Sequence, residues 1–214
     1  MATGFDLAAR IVEWALTLYL WMMVIAVLLT WVAPDPRNPI VSFLNRMTGP
    51  MWAWVQNRMP RRFAIFSAYV AILLIQFGAE FLPGTIRTIG AFFAGYLPPE
   101  GVPVPIAGYF VHGVAVMLNS ILFFLILALM IWFVLTLVSP SVNNPIVRTV
   151  YFLVDPIITP LQRRLPRSKI DFSPLIAAAV LFALNWFAVG ALMDVSAEMI
   201  HTGAPTVTLP ATRT

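Results

Sequence analysis

Apolar residues gather along this chain into four long runs, and within each successive pair of runs lies a stretch where they recur every three or four positions instead. The first run, Ile11 to Val32, is broken only by Glu13 near its start. The second, Phe63 to Phe81, holds Gln76 and Glu80. The third, Val111 to Val138, holds Asn119 and Ser120, and the fourth, Pro174 to Met193, holds Asn185 among small residues that let a neighbouring helix approach. A helix needs about 20 mostly apolar residues to cross a bilayer, so the pattern predicts four transmembrane helices. The first lacks the short apolar region and small-residue site of a cleaved signal and is expected to be retained. The third is longer than a bilayer requires, which predicts tilt or projection.

Between the first two runs, Ile40, Leu44, Met47, Met51, Trp54, Val55 and Met59 fall on one helical face, with Asn45, Arg46, Asn57 and Arg58 among the polar positions. Between the last two, Ile146, Val150, Val154, Ile157, Leu161 and Leu165 form the same kind of stripe. Both stretches are amphipathic and too polar to span, and tryptophan beside arginine suits the headgroup zone. A proline inside a helix removes a hydrogen bond and crowds the preceding turn, so Pro50 and Pro156 predict that each stretch splits into a helical hairpin on the membrane surface. Residues 83–110, rich in proline and glycine, predict a linker, within which 86–96 could form a short interfacial helix. The tail 196–214 is expected to be disordered.

The two stretches are copies. Pro145 stands 106 residues after Pro39, and the same offset pairs Pro34 with Pro140, Pro50 with Pro156, Gln56 with Gln162, Arg58 with Arg164, Arg61 with Arg167 and Ser67 with Ser173 without a gap. The fold expected is therefore all-α, with four transmembrane helices as two parallel repeats, residues 1–82 and 111–195, each carrying an amphipathic hairpin.

Composition adds a class. Hydrophobic residues make up 60% of the 214 and charged residues 10%, with a mean hydropathy of +0.88, well below the quarter or so of charged residues in a soluble domain. No cysteine is present, which removes disulfides, thiolate metal sites and haem attachment through a Cys-x-x-Cys-His motif. Ten of the 13 basic residues lie in two loops: Arg37, Arg46, Arg58, Arg61 and Arg62 in the first, Arg148, Arg163, Arg164, Arg167 and Lys169 in the second. The positive-inside rule puts both loops in the cytoplasm and both termini outside the cytoplasmic membrane. The high pI thus speaks for topology and anionic lipid, and no nucleic-acid contact is predicted.

Candidate chemistry is sparse. Asn38-Pro39 and Asn144-Pro145 look like helix starts, asparagine capping and proline filling the first position; Asp155-Pro156 and Ser173-Pro174 repeat that logic for a second hairpin helix and for the fourth span. Arg58, Arg61, Arg62, Arg163, Arg164 and Arg167 are candidates for contact with lipid headgroups or a membrane protein partner. Gln76, Asn119 and Asn185 are the polar groups that a conducting path through an oligomer would use, although interhelical hydrogen bonding is the better account of them. No catalytic set, phosphate loop, metal cluster or cofactor site emerges.

Asn144-Pro145-Ile146-Val147, Asp155-Pro156, Arg163-Arg164-Leu165-Pro166 and Asp171-Phe172-Ser173-Pro174, with a weaker first copy, resemble the YggT family of small integral membrane proteins over residues 20–193. In the first copy Ile65 and Ala68 stand where the second has Asp171 and Pro174. The resemblance implies a non-enzymatic scaffold or assembly factor of the inner membrane, associated with osmotic stress and ion homeostasis. A channel-like or transport role in a homo-oligomer is the alternative it leaves open.

Overall fold

The computed structural model describes residues 2–32, 35, 37–138, 145–163 and 171–202. All regular elements among them are helical: α1 (Ala2–Val32), α2 (Pro39–Gln56), a 3-10 segment (Arg61–Phe66), α3 (Ser67–Phe93), a second 3-10 turn (Pro99–Gly101), α4 (Pro103–Val138), α5 (Pro145–Gln162), α6 (Ser173–Leu184), a π-helical turn (Asn185–Val189) and α7 (Gly190–Thr202). Four stretches, Gly4–Thr30, Ser67–Phe93, Pro99–Val138 and Ser173–Thr202, are long and apolar enough to cross a membrane, and the chain is a multi-pass membrane protein.

The duplication is written into the element bounds. Helices α1 and α4 end at Val32 and Val138, α2 and α5 occupy Pro39–Gln56 and Pro145–Gln162, and α3 and α6 begin at Ser67 and Ser173, all 106 residues apart. The same positions are buried in both copies: Met23 and Leu129, Val41 and Val147, Thr48 and Val154, Ala71 and Ala177, Ser67 and Ser173. The chain divides into two compact units, Met1–Met117 with Met193–Thr214, and Leu118–Leu192. In the first, Met23 of α1, Val55 of α2 and Ala71 and Ile75 of α3 form one core. In the second, Ala128 and Leu129 of α4 meet Val154 and Ile158 of α5 and Ala177 and Ala178 of α6. Each amphipathic helix is thus held by two apolar helices of its own copy.

Several expected breaks are absent. Helix α2 runs unbroken through Pro50, and α5 through Pro156 and Pro160, so each amphipathic stretch is one helix and not a hairpin. The reason lies in the buried face: Val41, Leu44, Thr48 and Val55 lie on both sides of Pro50 along one stripe. An interior proline costs about 3 kcal/mol, whereas burying several such side chains returns about 1.5–3 kcal/mol each. That face is also rotated from the predicted one, since Ile40, Met47 and Trp54 are exposed. Helix α3 likewise passes Pro83 and ends at Phe93, not Phe81. There the hydroxyls of Thr85 and Thr88 donate back to the carbonyls of Phe81 and Gly84 at 2.8 and 3.0 Å, while the carbonyl that loses its helical donor to Pro83 is that of Ala79. Only residues 94–102 separate α3 from α4, and α7 carries the last helix to Thr202, well into the expected tail; residues 203–214 lie outside the described residues.

Candidate functional site

Helix α2 starts as its sequence predicts. The Asn38 side-chain oxygen accepts from the Ile40 backbone N–H at 2.9 Å, and Pro39 fills the first turn. At the far end, Arg58 folds back, its guanidinium 4.0 Å from the Trp54 ring centre and donating to the Trp54 carbonyl at 3.2 Å. Arg62 lies over Phe63 at 4.7 Å, and Arg61 is exposed beside it. These contacts keep cation and aromatic together at the exposed end of the helix, the pairing suited to a bilayer interface.

Helix α5 carries a different polar face. Asp155 does not cap a new helix, because α5 is continuous; its carboxylate instead accepts from the Thr159 hydroxyl at 2.6 Å. Hydrogen bonds from Thr159 and Tyr151 hold its pKa below the ordinary carboxylate value, and the bond to Asp155 raises that of Tyr151. Arg163 is exposed one residue past the helix end. Asn144, Arg164 and Arg167 lie outside the described residues. Pro145 opens α5, and Pro174 is buried in the first turn of α6.

The start of α6 is capped by Asp171, not by Ser173. An Asp171 oxygen accepts from the Ser173 backbone N–H at 2.9 Å, and the other accepts from the Gln162 side chain at 2.6 Å. Burial pushes the Asp171 pKa up, but the bonds from Ser173 and Gln162 outweigh it and the net shift is downward. A depressed folded-state pKa contributes stability above the unfolded value, lost as pH falls through the folded one. Asp171→Asn should therefore lower the melting temperature at neutral pH and flatten the acid limb of the stability profile below about pH 4, read by thermal denaturation in detergent. The first copy has no such cap: Ile65 stands in the place of the aspartate, and the Trp52 indole N–H donates to the Ser67 hydroxyl at 2.9 Å, holding the corresponding serine by its side chain. Sequence reasoning missed Trp52, whose partner lies 15 residues away.

Of the three polar span residues, two meet. The Asn185 amide donates to Asn119 Oδ1 at 3.0 Å, and Asn185 opens the π-helical turn. The Asn185 Oδ1 is buried and has no hydrogen-bond partner among the described residues. Gln76 stands on α3 in the other compact unit. Two further charged contacts were not predicted: Arg87 of α3 pairs with Glu13 of α1 at 2.5 Å, and His112 Nε2 lies 3.7 Å from Glu80, with its Nδ1 3.3 Å from Ser196 Oγ. No periodic signal links partners 74 residues apart. No group of three metal-binding side chains exists among the described residues.

Comparison with known proteins agrees with this duplicated architecture. The family model CCB3/YggT matches twice, at residues 5–86 and 111–192. The chain is similar to the Escherichia coli K12 protein described as "Uncharacterized protein YggT", 24% identical over 187 residues, covering 87% of this chain and 90% of that protein. It is also 29% identical over 167 residues to an "Uncharacterized protein" of Haemophilus influenzae, covering 78% and 82% of the two chains. No solved structure matches.

Proposed function

The chain belongs to the CCB3/YggT family, and from that premise we propose that it is a non-enzymatic scaffold or assembly factor of the cytoplasmic membrane. In this reading α2 and α5 of the two parallel repeats lie along the cytoplasmic surface, where their basic residues gather lipid and a membrane protein partner. The observation that carries this is the division of labour within each amphipathic helix. One face is built into the core of its own repeat, while Arg58 and Arg163 stand exposed at the end of each. The basic residues of both loops supply the positive-inside signal that orients the termini outward. A part in osmotic or ion stress would follow from such a scaffold organising other membrane proteins.

The test is charge removal. Replacing Arg58, Arg163 and Arg164 together by glutamine should abolish crosslinks between the cytoplasmic loops and neighbouring membrane proteins, seen by mass spectrometry of native membranes. Insertion and topology should be unchanged by protease accessibility. An unaltered crosslink pattern would refute the proposal.

A second reading, an oligomeric ion conduit, draws on the Asn119–Asn185 pair and the buried, unpartnered Asn185 Oδ1. π-Helical turns often mark functional positions. Potassium, sodium or proton flux into liposomes containing the purified protein, abolished by Asn185→Leu, would establish it. Absence of flux under all three gradients would eliminate it.

A further inference from the structure

Two shallow grooves meet on α5. One, of about 460 Å³, is lined by Asp155, Pro156, Thr159, Pro160 and Arg163; the other, of about 290 Å³, is lined by Ile157, Pro160, Leu161 and, from α6, Ala177, Val180 and Leu181. Pro160 belongs to both. With about 100° between successive residues of an α-helix, Asp155, Thr159 and Arg163 fall on the side of α5 away from its buried Val154 and Ile158, and Pro160 stands between that side and the apolar groove. A polar groove carrying one anion and one cation therefore continues, across a single proline, into an apolar groove between two helices. This is the division found in a phospholipid: a charged headgroup joined to a hydrocarbon chain.

The charges select among headgroups. Arg163 supplies a phosphate ligand able to donate two parallel hydrogen bonds. Asp155 supplies an acceptor whose ionised form is favoured by Thr159 and Tyr151. Pro160 has no N–H to offer the Pro156 carbonyl, so that wall of the groove carries a backbone acceptor deprived of its ordinary helical donor. Acceptors on one side and a guanidinium on the other match a headgroup that is both an N–H donor and a phosphate. A quaternary amine has no N–H to donate, and an anionic glycerol headgroup would face the Asp155 carboxylate. The first copy lacks this design: Gly49 and Ala53 stand where α5 has Asp155 and Thr159.

We propose that the paired grooves of α5 and α6 form a binding site for an aminophospholipid of the phosphatidylethanolamine class, its ammonium on Asp155, its phosphate on Arg163 and one acyl chain between Leu161 and Val180. The site rests on the membrane-surface placement of α5 and gives that helix a lipid specificity that α2 does not have.

Native mass spectrometry of the full chain, released from detergent after titration with phosphatidylethanolamine, phosphatidylcholine or phosphatidylglycerol of matched chains, reads the site. Wild type should retain phosphatidylethanolamine about tenfold more strongly than either competitor, as expected when one charge-assisted hydrogen bond is gained or lost. Asp155→Asn should erase that preference while leaving helical content and monodispersity unchanged. Arg163→Gln should weaken retention of all three. Glycerophosphoethanolamine, which has the headgroup without chains, should not compete at equal concentration; effective competition would remove the apolar groove from the site and overturn the proposal. Equal retention of all three lipids by wild type would overturn it too while sparing the scaffold, whose own test is the crosslink pattern.

Discussion

Replacing Gly84 by leucine will lower the melting temperature of the purified protein by about 6–12 °C, the shift expected for roughly 3 kcal/mol in a chain of this size. A Cβ built at Gly84 would stand 2.3 Å from Tyr109 Cδ1 and 2.4 Å from its Cγ. Those atoms are at the root of the ring, so Tyr109 of α4 cannot yield by swinging its far end aside. The duplication supplies an internal control. Gly190 lies 106 residues later on the same kind of helix, and a Cβ there meets nothing within 4 Å. Gly190→Leu should therefore leave the melting temperature unchanged or raise it by about 2–3 °C, since an uncrowded glycine in a helix has only propensity to gain. Equal shifts in the two variants would show that Gly84 acts through backbone freedom and not through close packing. Gly113, whose Cβ would stand 2.7 Å from the Phe77 ring, and Phe110, packed edge-on against Phe77 and Phe81 at 5.5 and 6.0 Å, place Gly84 within a wider zone of close helix contact. Small residues at such contacts are what association between apolar helices requires.

Gly84 also shows where sequence reasoning stopped. The Pro83-Gly84 pair reads as the start of a linker because both residues weaken a helix in isolation. Here both are buried inside one, the glycine closely packed against Tyr109. Local penalties were overruled by tertiary contact at Pro50 and Pro156 in the same way. What survives translation from sequence is the long-range regularity. Apolar runs place four helices because a span's length is set by the bilayer and not by neighbours, and a gapless offset of 106 predicts that the bounds of α2 recur in α5 because a duplicated segment meets duplicated surroundings. The Asn38 cap was legible because its partner is two residues away. The Asn119–Asn185 bond joins residues individually recognisable as polar intruders but unpaired in sequence. The exchange of Asp171 in one copy for Trp52 in the other was hidden altogether, because the two residues occupy different positions of the repeat and share only what they hold, the buried serine that begins α3 or α6.

The Glu13–Arg87 pair should behave as a coupled unit with unequal halves. A 27-residue span such as Gly4–Thr30 or Ser67–Phe93 is about 40 Å long as helix, against a hydrocarbon core of about 30 Å. With the overhang shared between its ends, Glu13 lies about 8 Å and Arg87 about 4 Å inside the core, so both charges are placed where an unpaired ion is unfavourable. Arginine has a long apolar stem and can lift its guanidinium to the interface when its partner is lost. The short glutamate stem cannot. Arg87→Met should therefore destabilise by about 2–3 kcal/mol, Glu13→Gln by about 1 kcal/mol or less, and the double variant should recover most of the loss because no ion is then left alone. A double-mutant cycle on melting in lipid nanodiscs measures the coupling. The half-exposed side chains of the pair, 40% and 44%, set the upper limit on that coupling, since any water reaching them screens it. A double variant as unstable as the two single losses combined would mean that each residue holds α1 and α3 independently. Recovery in the double variant would instead make this ion pair the link by which the N-terminal part of α1 is fixed to α3.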